Sequence, residues 1–383
     1  MRRLSLIFSG DRLLLGIVSV LTLGGIAIFS SATLGLLARA DASVARAAMT
    51  QIIFGLGGGL VAFSFFRLVP IAWLRRNAPW LFAATLALTL AVFIPGFGSH
   101  AYGATRWLDL RIITLQPAEF LKVGVVFLVA KLLADRHKQL ADYRRGLLPF
   151  LATIGVPAVI LLLQPNTSAV LLIGATATAM FIAAGAPWRH FFTIVLVGFL
   201  ALSMVLVVRP YARQRVLTFL DPAADPTGSG YQIQQSLIAI GTGGFVGRGF
   251  GESVQKFNYL PEPDGDSVFA VYAEECGFLG ALLLIALFFA LAARGIVIAG
   301  DAHDMFSGLI AFGFSWLLAF QAFVNMAAML GLMPLTGLPL PFVSHGGTAL
   351  LVALAEAGVI FNVAAHRRHT GAAPPRAGAA VPR

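Results

Sequence analysis

The sequence predicts an all-α integral membrane protein with ten transmembrane helices. Of its 383 residues, 58% are hydrophobic and only 11% are charged, with a mean hydropathy of +0.86. That composition is typical of membrane proteins and not of soluble domains. About 20 apolar residues in a helix cross a bilayer, and apolar runs of about that length recur along the chain. The predicted spans are 13–37, 49–66, 79–96, 118–135, 147–163, 168–186, 190–208, 267–293, 305–330 and 346–365.

The distribution of Lys and Arg among the short loops predicts the orientation. Most of these cations lie at the N-terminus, after spans 2 and 4, and in the C-terminal tail, and positive loops stay in the cytoplasm. We therefore expect both termini in the cytoplasm, a location in the cytoplasmic (inner) membrane, and loop 209–266, between helices 7 and 8, on the extracytoplasmic side. Basic loops facing anionic lipid explain the net charge of +10 better than nucleic-acid binding does.

The domain organisation predicted is simple. Residues 1–365 form a single polytopic membrane domain, and no repeat of fixed period is visible. The remainder, 366–383, is rich in Ala, Pro and Gly and is expected to be a disordered cytoplasmic tail.

Loop 209–266 is the longest loop and carries the most unusual chemistry. Its stretch GTGGFVGRGFG (241–251) allows the backbone to approach a ligand or another segment closely. The loop mixes both signs of charge, so its cations can hold a phosphorylated substrate while its carboxylates transfer protons or bind a divalent metal. A solvated loop with scattered ion pairs is the alternative. The charged residues are Arg213, Arg215, Arg248, Lys256, Glu252, Glu262, Asp264 and Asp266.

A second polar group lies between spans 3 and 4 and at the start of span 4. Arg106 and Trp107 are candidates for contacting a phosphate or sugar, although Trp107 also suits an interfacial anchor. Glu119 and Lys122 are three residues apart on one helix face and are expected to pair. Charged residues within a span usually face a bundle interior, where such a pair serves either function or structure.

Two further polar positions lie within or between spans. Glu356 is in the middle of the last span. It could relay protons, pair with a cation, or face a water-filled cavity, and the sequence leaves these three roles open. Asn166 closes the sequence Gln164-Pro165-Asn166 between spans 5 and 6, where a plain turn is the simple interpretation.

Four blocks of sequence resemble the SEDS (shape, elongation, division and sporulation) family, the polymerases FtsW and RodA. They are GATRWLDLRIITLQPAEFLK, FLDPAADPTGSGYQIQQSLIAIGTGGFVGRGFG, SVQKFNYLPEPDGDSVFAVYAEECG and GLMPLTGLPLPFVSHGGTALL. The blocks occur in the family's order and extend, with the intervening spans, over about residues 12–365. The stretch GESVQKFNYLPE resembles the FtsW form more than the RodA form.

The resemblance implies a peptidoglycan glycosyltransferase that polymerises lipid II, with undecaprenyl pyrophosphate as leaving group. The partners it implies are lipid II and undecaprenyl-linked glycan, a class B penicillin-binding protein, and other divisome or elongasome membrane proteins. No covalent cofactor is expected, whereas a divalent cation, Mg or Mn, fits the chemistry and would be held by Asp266 and Asp264 if it is used. A RodA-like elongation polymerase, a lipid II flippase or transporter, and a scaffold are the alternatives.

The resemblance also assigns roles to residues. The family's essential Asp falls on Asp266, and Asp264 takes the place of its common His and is the alternate catalytic candidate. Asp266 also directly precedes a span, so a simple helix cap is the structural alternative. Glu119 and Lys122 match the family's cavity-lining block, and Asn166 stands where the family usually has Asp. The full set of substrate-binding candidates is Arg106, Trp107, Glu119, Lys122, Arg213, Arg215, Gln235, Arg248, Lys256, Glu262 and Ser344.

Overall fold

The computed structural model describes residues 11–38, 48–101, 104–109, 114–257 and 259–366. Within them lie twelve principal helices and one three-stranded antiparallel sheet. The helices are α1 Arg12–Ala38, α2 Thr50–Leu68, α3 Ile71–Leu90, α4 Pro117–Asp135, α5 Tyr143–Leu163, α6 Thr167–Ala183, α7 Trp188–Val208, α8 Pro210–Leu220, α9 Ser229–Gly243, α10 Val268–Gly300, α11 Met305–Met329 and α12 Gly347–Ala365. The strands are β1 Gly98–Ala101, β2 Ala104–Asp109 and β3 Thr114–Leu115. The predicted tail, from Arg367 onward, lies outside the described residues.

The helices confirm an all-α membrane protein. Eight of them are long and apolar enough to cross a bilayer. The other two helices at predicted span positions fall short for physical reasons: α6 has 17 residues, and α4 carries four charged side chains. The count of ten spans therefore remains a prediction.

The bounds of α3 and α10 differ clearly from the prediction. Helix α10 extends to Gly300 and does not end near residue 293. Helix α3 begins at Ile71 and not near residue 79, so it includes Arg75 and Pro79. Within this added segment, Arg75 Nη2 lies 2.6 Å from Asp135 Oδ1 at the end of α4.

Burial separates central helices from peripheral ones. The apolar windows of α12 and α11 are 89% and 72% buried inside the protein, whereas that of α7 is only 6% buried. A single hydrophobic core extends from Leu14 in α1 to Ala364 in α12. Residues on α11 and α12 are therefore placed to form the walls of any internal site.

The long loop folds back onto α10 through a break in that helix. Gly277 has φ +64° and ψ −166°, which interrupts the helical hydrogen bonds. The glycine-dense stretch supplies replacements, since the N–H groups of Arg248 and Gly249 donate to the carbonyls of Glu274 and Glu275 at 3.0 and 3.1 Å. On the other side of the break, the N–H of Phe278 donates to Gly244 O at 2.9 Å.

Only glycine fits where these two segments cross. A Cβ on Gly277 would lie 2.3 Å from the backbone nitrogen of Gly247, and a Cβ on Gly247 would lie 2.1 Å from Glu275 O. The crossing fixes the loop against α10 and so fixes the segment that leads to Asp266.

Candidate functional site

Asp266 lies directly before α10, where three elements converge on it. Gln232 of α9 donates from Nε2 to Asp266 Oδ1 at 3.2 Å and to Ser267 Oγ at 2.9 Å. Asn325 of α11 donates from Nδ2 to the carbonyl oxygen of Asp266 at 2.8 Å. The N-cap of α10 is Ser267, without a side-chain capping bond, so Asp266 does not act as the cap of this helix.

Arg215 of α8 and Asp266 both lie close to the backbone of Gly337. A Cβ added to Gly337 would lie 3.7 Å from Arg215 Nη2 and 3.9 Å from Asp266 Oδ2. The backbone of Gly337, in the α11–α12 loop, therefore runs beside both groups. Arg215 is held there because its Nη1 donates to Thr336 O at 3.2 Å.

The surroundings of Asp266 make it a better base than an ordinary carboxylate. The pKa of Asp266 is raised to about 6, first by burial of the carboxyl group and then by the neighbouring negative charge of Glu262. The positive charge of Arg215 and the hydrogen bond from Gln232 oppose that rise. A carboxylate with a pKa of about 6 is mostly ionised at pH 7 and binds a proton more readily than a free Asp does.

Two guanidinium groups share one aromatic ring beside this carboxylate. The Cζ atoms of Arg215 and Arg106 lie 4.6 and 5.8 Å from the ring centroid of Tyr211, at the start of α8. Arg106 comes from β2 and donates to the backbone carbonyls of Gln164 and Pro165. The β-sheet therefore brings Arg106 to the side of the site where Arg215 lies. Two guanidinium groups held near each other in this way suit an anionic ligand.

Asp264 is engaged elsewhere. Its side chain is buried, and its Oδ2 lies 3.2 Å from Nδ1 of His345 in the α11–α12 loop. Its carbonyl oxygen accepts a hydrogen bond of 2.6 Å from the backbone N–H of His345. The two aspartates thus have different partners, and Asp266 is the one that lies beside Arg215.

Two of the predicted cations are paired away from Asp266. Lys256 is fully buried, and its Nζ contacts Glu275 Oε1 at 2.7 Å and Ser31 Oγ at 2.9 Å. Arg248 Nη1 lies 3.3 Å from Oε1 of Glu274. That buried carboxylate also accepts hydrogen bonds from Thr242, Ser253 and the backbone of 254 and 255, which anchors the loop on α10.

Deeper in the bundle, the predicted pair of α4 is present. Lys122 Nζ lies 2.7 Å from Glu119 Oε2 and donates to Gln321 Oε1 of α11 at 2.6 Å. Glu356 of α12 faces these two charges and is buried, and its Oε1 accepts no hydrogen bond from the residues that the structure describes. The three residues form a polar cluster among apolar helices, separate from Asp266.

The other candidates have distinct surroundings. Arg213 and Glu262 are exposed, and Trp107 is half-buried on β2. Ser344 is buried, and its Oγ accepts from the backbone N–H of Leu340 at 2.7 Å, which stabilises a turn. Gln235 follows Gln232 by one helical turn, and it is Gln232 that bonds Asp266.

Asn166, between α5 and α6, has a structural contact. Asn166 Oδ1 accepts from the backbone N–H of Ala169 and so caps α6. Throughout the described ranges, no three His, Cys, Asp or Glu side chains cluster as metal ligands.

Sequence reasoning missed Gln232, Asn325 and His345. Gln232 lies in the long loop, 34 residues before Asp266, Asn325 lies within the apolar α11, and His345 lies in a loop far along the chain. Neither periodicity nor spacing therefore links them to Asp266. An amide inside a transmembrane run is nevertheless a signal, because an unpaired amide is costly in lipid.

Comparison with known proteins identifies relatives of this chain. The cell cycle protein family that comprises FtsW, RodA and SpoVE matches residues 11–369. A probable peptidoglycan glycosyltransferase FtsW of Geobacter sp. (strain M18) is 40% identical over 296 residues, which cover 77% of this chain and 80% of the relative. Stage V sporulation protein E of Bacillus subtilis (strain 168) is 36% identical over 359 residues, covering 93% and 98%.

Solved structures agree with this assignment. A chain from a peptidoglycan synthase complex that coordinates polymerization and crosslinking has a TM-score of 0.75 at 31% identity, covering 92% of this chain and 97% of its own. The rod shape determining protein RodA of Thermus thermophilus has a TM-score of 0.68 at 27% identity, covering 94% and 97%. The chain belongs to the FtsW, RodA and SpoVE family of cell cycle proteins.

Proposed function

We propose that this protein is a peptidoglycan glycosyltransferase that polymerises lipid II, with Asp266 as its general base. The observation that carries the proposal is the position of Asp266, half-buried beside Arg215 and hydrogen-bonded by Gln232. Family membership supports it, because several relatives are named probable peptidoglycan glycosyltransferase FtsW.

The chemistry follows from these groups. Asp266 accepts the proton of the 4-hydroxyl of one lipid II sugar as that oxygen bonds to the anomeric carbon of the lipid-linked chain. The bond from that carbon to the undecaprenyl pyrophosphate oxygen breaks, and the leaving group takes the electron pair. Arg215, with Arg106 and the exposed Arg213, balances the charge that develops on the pyrophosphate.

A divalent cation is a separate part of the proposal. Mg²⁺ is usually bound through one or two carboxylates together with substrate phosphates. The Asp264 carboxylate contacts His345, and no cluster of three metal-ligand side chains lies in the described ranges. These residues therefore do not by themselves fit a protein-only cation site, and the guanidinium groups carry the charge balance in the mechanism.

We further propose a division role and an extracytoplasmic active site in the inner membrane, with both termini in the cytoplasm. The relatives named FtsW and the FtsW-like stretch before Asp266 support division over elongation. A class B penicillin-binding protein is the proposed partner, supported by the likeness to a complex of polymerization and crosslinking. Other divisome membrane proteins are proposed to join them.

The test is polymerisation of labelled lipid II by the purified full chain in liposomes. Asp266→Asn should lower the rate at least about 100-fold, the range expected for loss of a general base. Glu252→Gln, an exposed carboxylate on the same loop, is the matched control and should keep the wild-type rate.

Each other outcome identifies a rival. Wild-type activity in Asp266→Asn would remove the base assignment. Lipid translocation without glycan strands would make the protein a flippase, and neither activity would favour a scaffold.

A further inference from the structure

The segment from Glu262 to Ser267 carries Asp266 and is fastened at both ends. Gln232 and Asn325 fasten Asp266 itself, as they bond its carboxylate and its carbonyl oxygen. Asp264 is fastened two residues earlier by His345. Gly265 separates the two attachments, so the backbone between them has the freedom of a glycine.

His345 is a rigid anchor. Its ring stacks on Phe29 of α1, with centroids 5.4 Å apart and planes 25° apart. Gln51 of α2 fixes the backbone on both sides of it, since Nε2 donates to Ser344 O at 3.2 Å and Oε1 accepts from the N–H of Gly346 at 3.0 Å. His345 therefore transmits the position of α1 and α2 to the loop that holds Asp266.

The geometry also limits what the pair can do chemically. The contact of Nδ1 with the Asp264 carboxylate assigns the donor proton to Nδ1. The other ring nitrogen, Nε2, is buried and has no hydrogen-bond partner among the described residues. It is therefore not open to a substrate hydroxyl, so the pair is not arranged as a second acid–base centre.

We propose that Asp264 and His345 form a positioning pair for the glycosyl transfer, an inference that rests on the proposed function. The pair holds the segment so that the Asp266 carboxylate lies beside Arg215. Asp264 is then not a rival to Asp266 as the base, and His345 is a further positioning residue for the reaction. A displacement of a catalytic group by about 1 Å can cost on the order of 100-fold in rate.

The experiment measures initial rates of lipid II polymerisation at varied lipid II by the full chain in liposomes. Asp264→Ala and His345→Phe each remove the side-chain contact, and phenylalanine keeps a ring that stacks on Phe29. Each should lower kcat by roughly 10- to 100-fold with KM within about threefold of wild type, because base placement changes and substrate binding does not.

Rescue by a conservative variant separates positioning from catalysis. Asp264→Asn keeps an oxygen that accepts from Nδ1 of His345, so its kcat should exceed that of Asp264→Ala about tenfold or more. The double variant Asp264→Ala/His345→Phe should be no slower than the slower single variant, because both changes remove one contact.

Other outcomes would contradict the positioning role of Asp264 and His345. If Asp264→Asn is as inactive as Asp264→Ala, the charge of Asp264 itself is needed and its role is catalytic. A rise in KM with kcat unchanged would assign the pair to substrate binding, and additive losses in the double variant would show that the two residues act independently. An inactive wild-type protein would instead refute the proposed function, and if Asp264→Ala fails to fold, His345→Phe with Asp264→Asn still decides.

Discussion

At the scale of single residues, the reactivity of Asp266 depends on its neighbours. Burial and the charge of Glu262 raise its pKa to about 6, while Arg215 and Gln232 lower it. A base acts only when it is deprotonated, so activity is present above this pKa and is lost as the pH falls through it. At pH 5 only about a tenth of the Asp266 carboxyl groups would be ionised.

The first prediction concerns the pH profile of polymerisation. The rate should rise with pH to a plateau, with a midpoint near 6. Glu262→Gln removes a like charge, lowers the pKa of Asp266 and moves the midpoint to lower pH. Glu252→Gln is the control and should leave the midpoint in place. The measurement is the normalised rate between pH 4.5 and about 8, a window that brackets the wild-type midpoint. An unchanged midpoint in Glu262→Gln would remove Asp266 as the titrating base.

At the scale of helices, α4, α11 and α12 meet at a buried charge cluster. Lys122 is paired with Glu119 and donates to Gln321, and Glu356 faces them, its Oε1 accepting no hydrogen bond within the described part of the chain. An unpaired charge in this environment is expensive, so Lys122 is best stabilised while at least one carboxylate is available to it.

The second prediction follows from this arrangement. Glu356→Gln alone should change the unfolding temperature little, because Glu119 remains to pair with Lys122. Glu119→Gln should destabilise the protein, and the double variant Glu119→Gln/Glu356→Gln should lose more than the sum of both. In the double variant Lys122 has neither carboxylate, a loss on the order of 3–5 kcal/mol. Thermal unfolding in detergent measures this, and strictly additive losses would show that Glu356 is no alternative partner.

The third prediction concerns the crossing of the loop with α10. Gly277→Ala places a Cβ 2.3 Å from the nitrogen of Gly247 at a residue with φ +64°. We expect a loss of at least about 2 kcal/mol from strain and steric overlap together. Gly241→Ala is the control, since a Cβ there meets no atom within 4 Å and alanine favours the helix. The comparison is made by thermal unfolding, and equal stability of the two variants would contradict the tight crossing.

At the scale of the whole molecule, orientation in the membrane determines which substrates reach the site. Thr227 lies in the long loop and His137 follows α4, and both side chains are exposed. The distribution of Lys and Arg predicts opposite sides of the membrane for them.

The fourth prediction tests that orientation. In a Cys276→Ser background, Thr227→Cys should react with a membrane-impermeant maleimide in intact spheroplasts. His137→Cys should react only after permeabilisation. Mass spectrometry of the labelled protein gives the answer, and the reverse pattern would place the Asp266 site on the cytoplasmic side.

The sequence by itself determined the class of the protein and the segments of its helices. Apolar runs of membrane length are a local property, because each helix satisfies its own backbone hydrogen bonds in lipid. The Glu119–Lys122 pair was predictable for the same reason, since both residues lie on one helix face. The motif around Asp266 also identified the catalytic candidate, through resemblance and not through spacing.

Only the tertiary structure decided which residues act together. The partners of Asp266 come from α8, α9 and α11, and the partner of Asp264 from the loop before α12. Lys256 and Arg248 share the loop with Asp266 in sequence but pair with carboxylates of α10. Contacts between distant segments depend on how helices pack and where α10 breaks at Gly277, and no local pattern in the sequence encodes that packing.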